Sequence, residues 1–478
     1  MTMLHVEQRQ ESMMNKTWLQ VLTMLVISCL VLVGCTSESK GPIEPKENQE
    51  TTTLKVIYQD SELFYKQYGD SFTTLNDHIQ FEVISDADIY KDMGDKTKEE
   101  VYAEFIREEQ PDILILDAHQ FKKQINDGVL TELDSLSARD NYNLDGFVPS
   151  LVDQFRELGG GQLYGLTPSF SSKAIFYNKD LFKKNGIELP SDGMSWYDII
   201  ELARRFPTEG DKQTRVYGYS GGDVYEAPMD LVTLIDKMSR AEGLSIVNTD
   251  KMQVTLDTDA WKKVIQTAIE AGQSGAIFNS MDELFTLGTK EEFYDSQPFL
   301  MGRSAMHIGS VTSLALMDHF KNDVNDDVPF ELGIAAGPVD PLDPTSTYVT
   351  PGDIFAINKA SVHQDAAWEF IKYVCGEDYA RASSESNELL LGQQLLLSRS
   401  GFMKDYEGIS LEPFYRLKSK FPRRSDDWYK LPDPFFNDFA AVLSRELELV
   451  KKGQKSLDDA VATVKSEAQT LLDQSVKK

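Results

Sequence analysis

The sequence predicts an α/β protein whose 478 residues divide into two large lobes, each a mainly parallel sheet flanked by helices. Three observations carry this expectation. The chain is too long for one ordinary core, because single cores stop growing at about 250–300 residues. The segment DILILDA at 112–118 is a continuous apolar run, the pattern of a parallel strand covered on both faces. Strand and helix patterns then alternate through most of the chain, the rhythm of crossover-connected parallel sheets.

The N-terminal segment comes first. An uncharged apolar run at 18–34 follows Lys16 and ends in small residues. At 17 residues it sits at the short limit for a spanning helix, and its layout is that of an export signal. Met13 or Met14 is a more natural start for such a signal than Met1. The tetrapeptide LVGC at 32–35 resembles the lipobox of bacterial lipoproteins. That resemblance implies cleavage before Cys35 and diacylglycerol on its thiol, leaving 1–34 as signal peptide. The polar stretch at 35–52 holds two prolines and no aromatic residue, so it buries no core and reads as a flexible tether. Of the three cysteines, Cys29 leaves with the signal and Cys35 is acylated. Cys375 remains as a lone thiol in an apolar helix, a small buried hydrophobe without a disulfide partner.

The folded part opens with strands at 53–60 and 79–85, the second alternating apolar and polar residues. A helix follows at 97–110, stopped by Pro111, then the 112–118 strand and a helix capped near Gly128. KAIFYNKDLFKKNGI at 173–187 reads as strand, turn and short helix. SWYDIIELARRF begins with a Ser195 cap and carries Trp196, Ile199, Ile200 and Ala203 on one face. TRVYGYS is a strand; MDLVTLIDKM, DAWKKVIQTAIEAG and SMDELFTLG are helices. SAMHIGS and FELGIAAGPVDP are strands, DIFAINKASVHQDAAWEFIKYV is strand, turn and helix, and the C-terminal region is helical.

A net charge of −29 argues against nucleic-acid binding, which needs a basic face. The motif GYSGG at 218–222 matches the nucleophile elbow and opens a second reading, an exported α/β hydrolase. Ser220 would attack and His307, His319 or His363 would serve as base. Pro228 follows where that elbow requires an immediate helix. DVNDD at 323–327 lacks the glycine and glutamate of a calcium loop, since Val328 and Ile334 stand in their places. No metal-ligand spacing or cofactor motif is present, and neither a metal nor a cofactor is expected.

Several blocks resemble the family 1 extracellular solute-binding proteins of ABC importers, the group that includes maltose- and oligosaccharide-binding proteins. PDILILDAHQFKKQINDGVLTELDSL is similar to that family's strand, helix and return. GGGQLYGLTPSFSSKAIFYNKDLFKKNGIELP resembles its G-x-x-Y-G-x-P approach followed by Y-N-K-D-L-F-x-x-x-G. SWYDIIELARRF, FLMGRSAMHIGS and DIFAINKASVHQDAAWEFIKYV follow in the family's order. The resemblance implies a two-lobed periplasmic-binding-protein-like fold of type II, with the ligand in the cleft between lobes and hinge closure upon it. It implies a monomer that delivers a small solute to a membrane permease, without catalysis. A ligand-sensing lipoprotein partnered with a membrane receptor is a third reading on the same fold. Chain crossings are expected near 167–171, 304–308 and 348–353. One lobe would comprise 53–170 plus 306–348, the other 171–305 plus 349–478.

Ligand contacts should come from the carboxyl ends of strands. By position these are Gln59 and Asp60, Asp117 and His119, then Ser169, Phe170 and Ser171, Ser310 and Thr312, and Thr350 and Asp353. A sugar site wants an aromatic platform with flanking carboxylates, for which Phe170, Tyr219 and Trp428 are candidate platforms and Asp60, Asp117 and Asp353 candidate hydroxyl acceptors. Asp117 could equally cap the following helix. The sequence departs from the family where GSVTSL lacks the tryptophan that stacks on sugar in many relatives, and where TPGDIF replaces a Gly-Gly start. A small sugar, a polar sugar derivative or another polar solute all fit these departures. Mass spectrometry of the membrane-extracted chain should find Cys35 as a lipidated first residue; residues retained before Cys35 without lipid would contradict this.

Overall fold

The computed structural model describes residues 51–91, 96–211, 214–221, 229–279, 289–324, 328–386, 395–421, 431 and 433–475. Cys35, Trp428 and the expected helix at 280–288 lie outside the described residues.

The first sheet has the order β2-β1-β3-β13-β4. Strands β1 (Thr52–Tyr58) and β2 (Ile79–Ser85) pair in parallel along their whole length, and β3 (Ile113–Leu116) extends the parallel set. β13 (Ile354–Ile357) and β4 (Gly165–Leu166) join it antiparallel. Leu54, Val56, Ile113, Leu114 and all four residues of β13 are fully buried, as expected of strands covered on both faces. The helix Lys98–Glu109 starts with a Thr97/Glu100 capping box and ends at Gln110, whose left-handed backbone precedes Pro111.

The second sheet has the order β11-β6-β10-β7, from β6 (Ala174–Asn178), β7 (Tyr217–Tyr219), β10 (Ser304–Gly309) and β11 (Leu332–Ala336). The sequence reading expected a mainly parallel sheet here. Instead β6 runs antiparallel to both of its neighbours, and only β7 and β10 are parallel. A small hairpin of β8 (Val247–Asn248) and β9 (Gln253–Val254) stands apart. The helices Trp196–Ala203, Leu231–Ala241, Asp259–Ser274, Asp433–Lys451 and Leu457–Ser475 enclose this sheet's core.

A third sheet links the two. Strand β5 (Ser169–Ser172) pairs antiparallel with β12 (Ser346–Pro351), flanked by β14 (Leu396–Leu397) and β15 (Lys418–Lys420). The chain leaves the first sheet at Leu166, passes along β5, and enters the second at Ala174; it returns along β12 to β13. Phe421 belongs to the first core and Leu431 to the second. This geometry explains the mixed sheets. A strand that begins at a crossing starts at the hinge edge, so β6 and β13 must run against the strands that end there.

The crossings also correct the lobe boundaries read from sequence. Residues 304–308 are not a crossing, because β10 pairs with β6 at Met306–Gly309 and with β7 at Ser304 and Met306, inside the second sheet. Strand β11 belongs there too, whereas β13, assigned by sequence to the second lobe, pairs with β3 of the first. The helix Gln364–Val374 follows β13 into the first core, where Phe370 meets Phe81 at 4.8 Å and Phe72 at 5.0 Å between ring centroids. Replacing fully buried Phe370 with alanine should therefore cost about 3–5 kcal/mol. A urea midpoint unchanged from wild type would contradict that packing.

Candidate functional site

Strand direction places the chemistry. In the first sheet β1, β2 and β3 end, and β13 begins, at the edge nearest the hinge. Gln59, Asp60, Asp86, Asp117 and Asp353 therefore share one rim. In the second sheet β7, β10 and β11 end, and β6 begins, at the edge the hinge strands enter. Lys173, Ser220 and Ser310 share that rim. The two rims are the carboxyl ends where α/β proteins hold ligands.

On the first rim a polar knot is built around Asp353. The Tyr58 and Tyr68 hydroxyls both donate to Asp353 Oδ2, at 2.7 and 2.8 Å. Gln67 also meets the Tyr58 hydroxyl. Burial raises the Asp353 carboxyl above the ordinary aspartate range, although the two tyrosine hydrogen bonds pull the other way. Asp86 is raised as well, first by burial and then by the charges of Asp117 and Asp353. Tyr90 is pushed up to about 12, first by burial and then by the charges of Asp86 and Asp117.

Other predicted residues on this rim have local duties too. Asp60 caps the helix Ser61–Phe64 by accepting from the Leu63 amide at 2.8 Å. Asp117 forms a capping box with Gln120 at the start of the helix Ala118–Asn126. Both remain exposed, as does Gln59, whose carbonyl accepts from Ser85 Oγ. His119 is buried, with Nε2 3.0 Å from Glu99 Oε1.

The hinge contributes Ser171 and Thr350, which face each other as a pair across β5 and β12. Ser169 is buried; its carbonyl accepts from the Gly352 amide at 2.8 Å and from Thr167 Oγ1 at 2.7 Å. A Cβ at Gly352 would stand 2.5 Å from Ser169 Oγ, so this close approach requires glycine where TPGDIF places it. Phe170 is fully buried in the core rather than presenting a face, and Tyr219 is equally buried, edge-on to Trp196 at 5.6 Å. Ser310 Oγ donates to Thr312 Oγ1 at 2.8 Å and accepts from the Thr312 amide at 3.2 Å, closing the turn into the helix Thr312–Val324.

Beside the hinge lies a cavity of about 720 Å³, within the range of small-ligand sites. Ser171 and Thr350 line it together with Lys173, Ile308, Tyr348 and the helices Leu231–Ala241 and Asp433–Lys451. Sequence reasoning missed Tyr58, Tyr68 and Asp86, and it missed this wall. The terminal tyrosine of KVIYQD and the aspartate closing VISD were the available signals.

Residues 61–381 match the family model of the bacterial extracellular solute-binding protein. The chain belongs to that family. Curated relatives are distant: a Brucella abortus (strain 2308) protein named only as a candidate binding protein is 24% identical over 256 residues, 52% of this chain and 56% of its own. The chain thus spans little more than half the length of the curated relatives it matches. Among solved structures, a family 1 extracellular solute-binding protein from Alicyclobacillus acidocaldarius superposes with TM-score 0.59 at 14% identity, covering 89% of this chain and 100% of its own. The sugar-binding protein MalE of Xanthomonas citri gives 0.57 at 17%, covering 88% and 98%. A sugar transporter protein of Rhizobium etli, in an open conformation, gives 0.56 at 18%, covering 87% and 99%. These likenesses show the two-lobed fold.

In this solute-binding protein His307, one candidate base for the Ser220 elbow, is engaged away from the Ser220 hydroxyl. His307 Nδ1 donates to the Ser220 carbonyl at 3.1 Å, not to its hydroxyl, and Nε2 meets Ser313 Oγ at 3.0 Å. Ser220 Oγ has no hydrogen-bond partner among the described residues. His363 lies at the far end of the first sheet, 3.2 Å from Asp112.

The raised Asp353 carboxyl makes stability pH-dependent with a definite sign. The folded protein holds the Asp353 proton more tightly than the unfolded chain, whose carboxyl titrates near 3.8. The stability this supplies is complete below that value and is lost as pH rises through the folded pKa. Asp353→Asn keeps an acceptor for both tyrosines but removes the charge. The variant should gain on wild type in chemical denaturation from pH 3 to pH 7; parallel pH curves would contradict this.

Proposed function

We propose that the protein is the lipid-anchored solute receptor of an ABC importer, binding a carbohydrate or related polar solute between its lobes and passing it to a membrane permease. The observation that carries this reading is the convergence of two strand edges on one hinge. Asp60, Asp86, Asp117 and Asp353 stand on one rim, and a ligand-sized cavity opens beside the other. Carboxylates accept hydrogen bonds from sugar hydroxyls, while aromatic and aliphatic walls cover the apolar faces of a sugar ring. Gln59, Asp60, Asp117 and Asp353 form the first wall of the proposed site, Ser171 and Thr350 its hinge, and Ser310 and Thr312 the base of its second wall. Solved relatives described as sugar-binding support the solute class.

No bond is made or broken in this reading. His307 is engaged with the Ser220 carbonyl and Ser313 rather than with the Ser220 hydroxyl, which speaks against its serving as the base. The apolar run before Cys35 and the LVGC motif support a diacylglyceryl anchor. Such an anchor holds a monomeric receptor beside its permease and raises its effective concentration there.

A thermal-shift panel tests the solute class. A sugar present at about 100 times its dissociation constant should stabilise the protein by about 2.7 kcal/mol. Shifts from peptides or polyamines with none from sugars would overturn the carbohydrate reading. Ser220→Ala should leave the sugar-induced shift intact.

A further inference from the structure

The hinge-side cavity differs in character from the first rim. Its lining is mainly apolar, with Trp196, Ile235, Leu244, Ile308, Phe436 and Phe439, and also includes the charged Lys173, Asp236, Lys237 and Arg240. Of these, Trp196, Ile235, Ile308 and Phe439 are buried, so they form a fixed wall rather than mobile surface groups. The first rim, by contrast, presents four carboxylates and the Tyr58–Asp353–Tyr68 knot. The two surfaces are close along the chain. Thr350 lines the cavity and Asp353 follows three residues later, a span of at most roughly 10 Å.

A solute made only of hydroxyl-bearing rings would match the first rim and leave much of this wall against water. An amphipathic solute matches both. Resting on the carbohydrate reading above, we infer that the ligand is a glycoside with an apolar aglycone. Its sugar faces the carboxylate rim and its aglycone enters the cavity between the helices Leu231–Ala241 and Asp433–Lys451. Burial of the aglycone removes apolar area from water, and edge or face contacts with Trp196, Phe436 and Phe439 add to it. The inference is compatible with the absence of a stacking tryptophan from GSVTSL, because the aromatic surface has moved from the strand end to the helices.

Isothermal titration of the full chain with methyl and phenyl glycosides of glucose, galactose, mannose and xylose tests this. For the sugar that binds, the phenyl glycoside should have a dissociation constant at least tenfold below that of the methyl glycoside. Ala440 also lines the cavity and is only partly buried. Ala440→Trp should fill the space and reduce the affinity ratio of phenyl over methyl glycoside to about one, with the larger loss falling on the phenyl glycoside. Equal affinities of the two glycosides for wild type would overturn this inference and leave the carbohydrate reading standing. An Ala440→Trp variant that folds but weakens both glycosides alike would overturn it too, by placing the sugar itself in the cavity. No binding by any glycoside would overturn both readings. The wild-type comparison decides the matter even if the variant fails to fold.

Discussion

The antiparallel pairing of Ser169–Ser172 with Ser346–Pro351 is the constraint on which the rest of the molecule depends. These two strands carry the chain between sheets in opposite directions, and their hydrogen bonds hold the crossings side by side. Because each crossing begins a new strand at the hinge edge, β6 and β13 run antiparallel to their neighbours. The carboxyl ends of the remaining long strands are thereby turned toward the hinge in both lobes. The Gly352 approach to Ser169 keeps the two crossings in contact at the point where β12 becomes β13.

Much of the local structure was legible in the chain because its signals are local. The Ser195 cap, the helix stopped at Pro111, and the apolar run ILIL each depend on signals within a few residues, and the structure follows them. Lobe membership was not legible. The strands SAMHIG and IFAI have the same apolar pattern whichever sheet they join, and pairing partners more than a hundred residues away decide the matter. The expected crossing at 304–308 failed for this reason, as did the assignment of β11 and β13. The rim followed the same division. Asp60, Asp117 and Asp353 could be placed from strand ends, whereas the Tyr68–Asp353 bond spans 285 positions and leaves no periodic trace. Phe170 and Tyr219 were chosen as ring platforms by position, yet both are consumed by the cores.

The first rim sets stability against binding chemistry. Asp353 and Asp86 are raised by burial, which means that the fold accepts poorly solvated carboxylates on one edge. Hydrogen bonds from Tyr58 and Tyr68 offset part of that cost and fix the orientation of the Asp353 carboxylate. A carboxylate held by two buried phenols keeps little conformational freedom in the folded protein. The cavity beside the hinge is lined by aromatic and aliphatic side chains close-packed into the second core.

The central claim is that the lobes close on a sugar about the β5/β12 hinge. Small-angle X-ray scattering with and without the most stabilising sugar measures it directly. Closure predicts a smaller radius of gyration and a shorter maximum dimension in the saturated protein, at unchanged molecular mass. A saturated protein with the scattering profile of the free chain would contradict it.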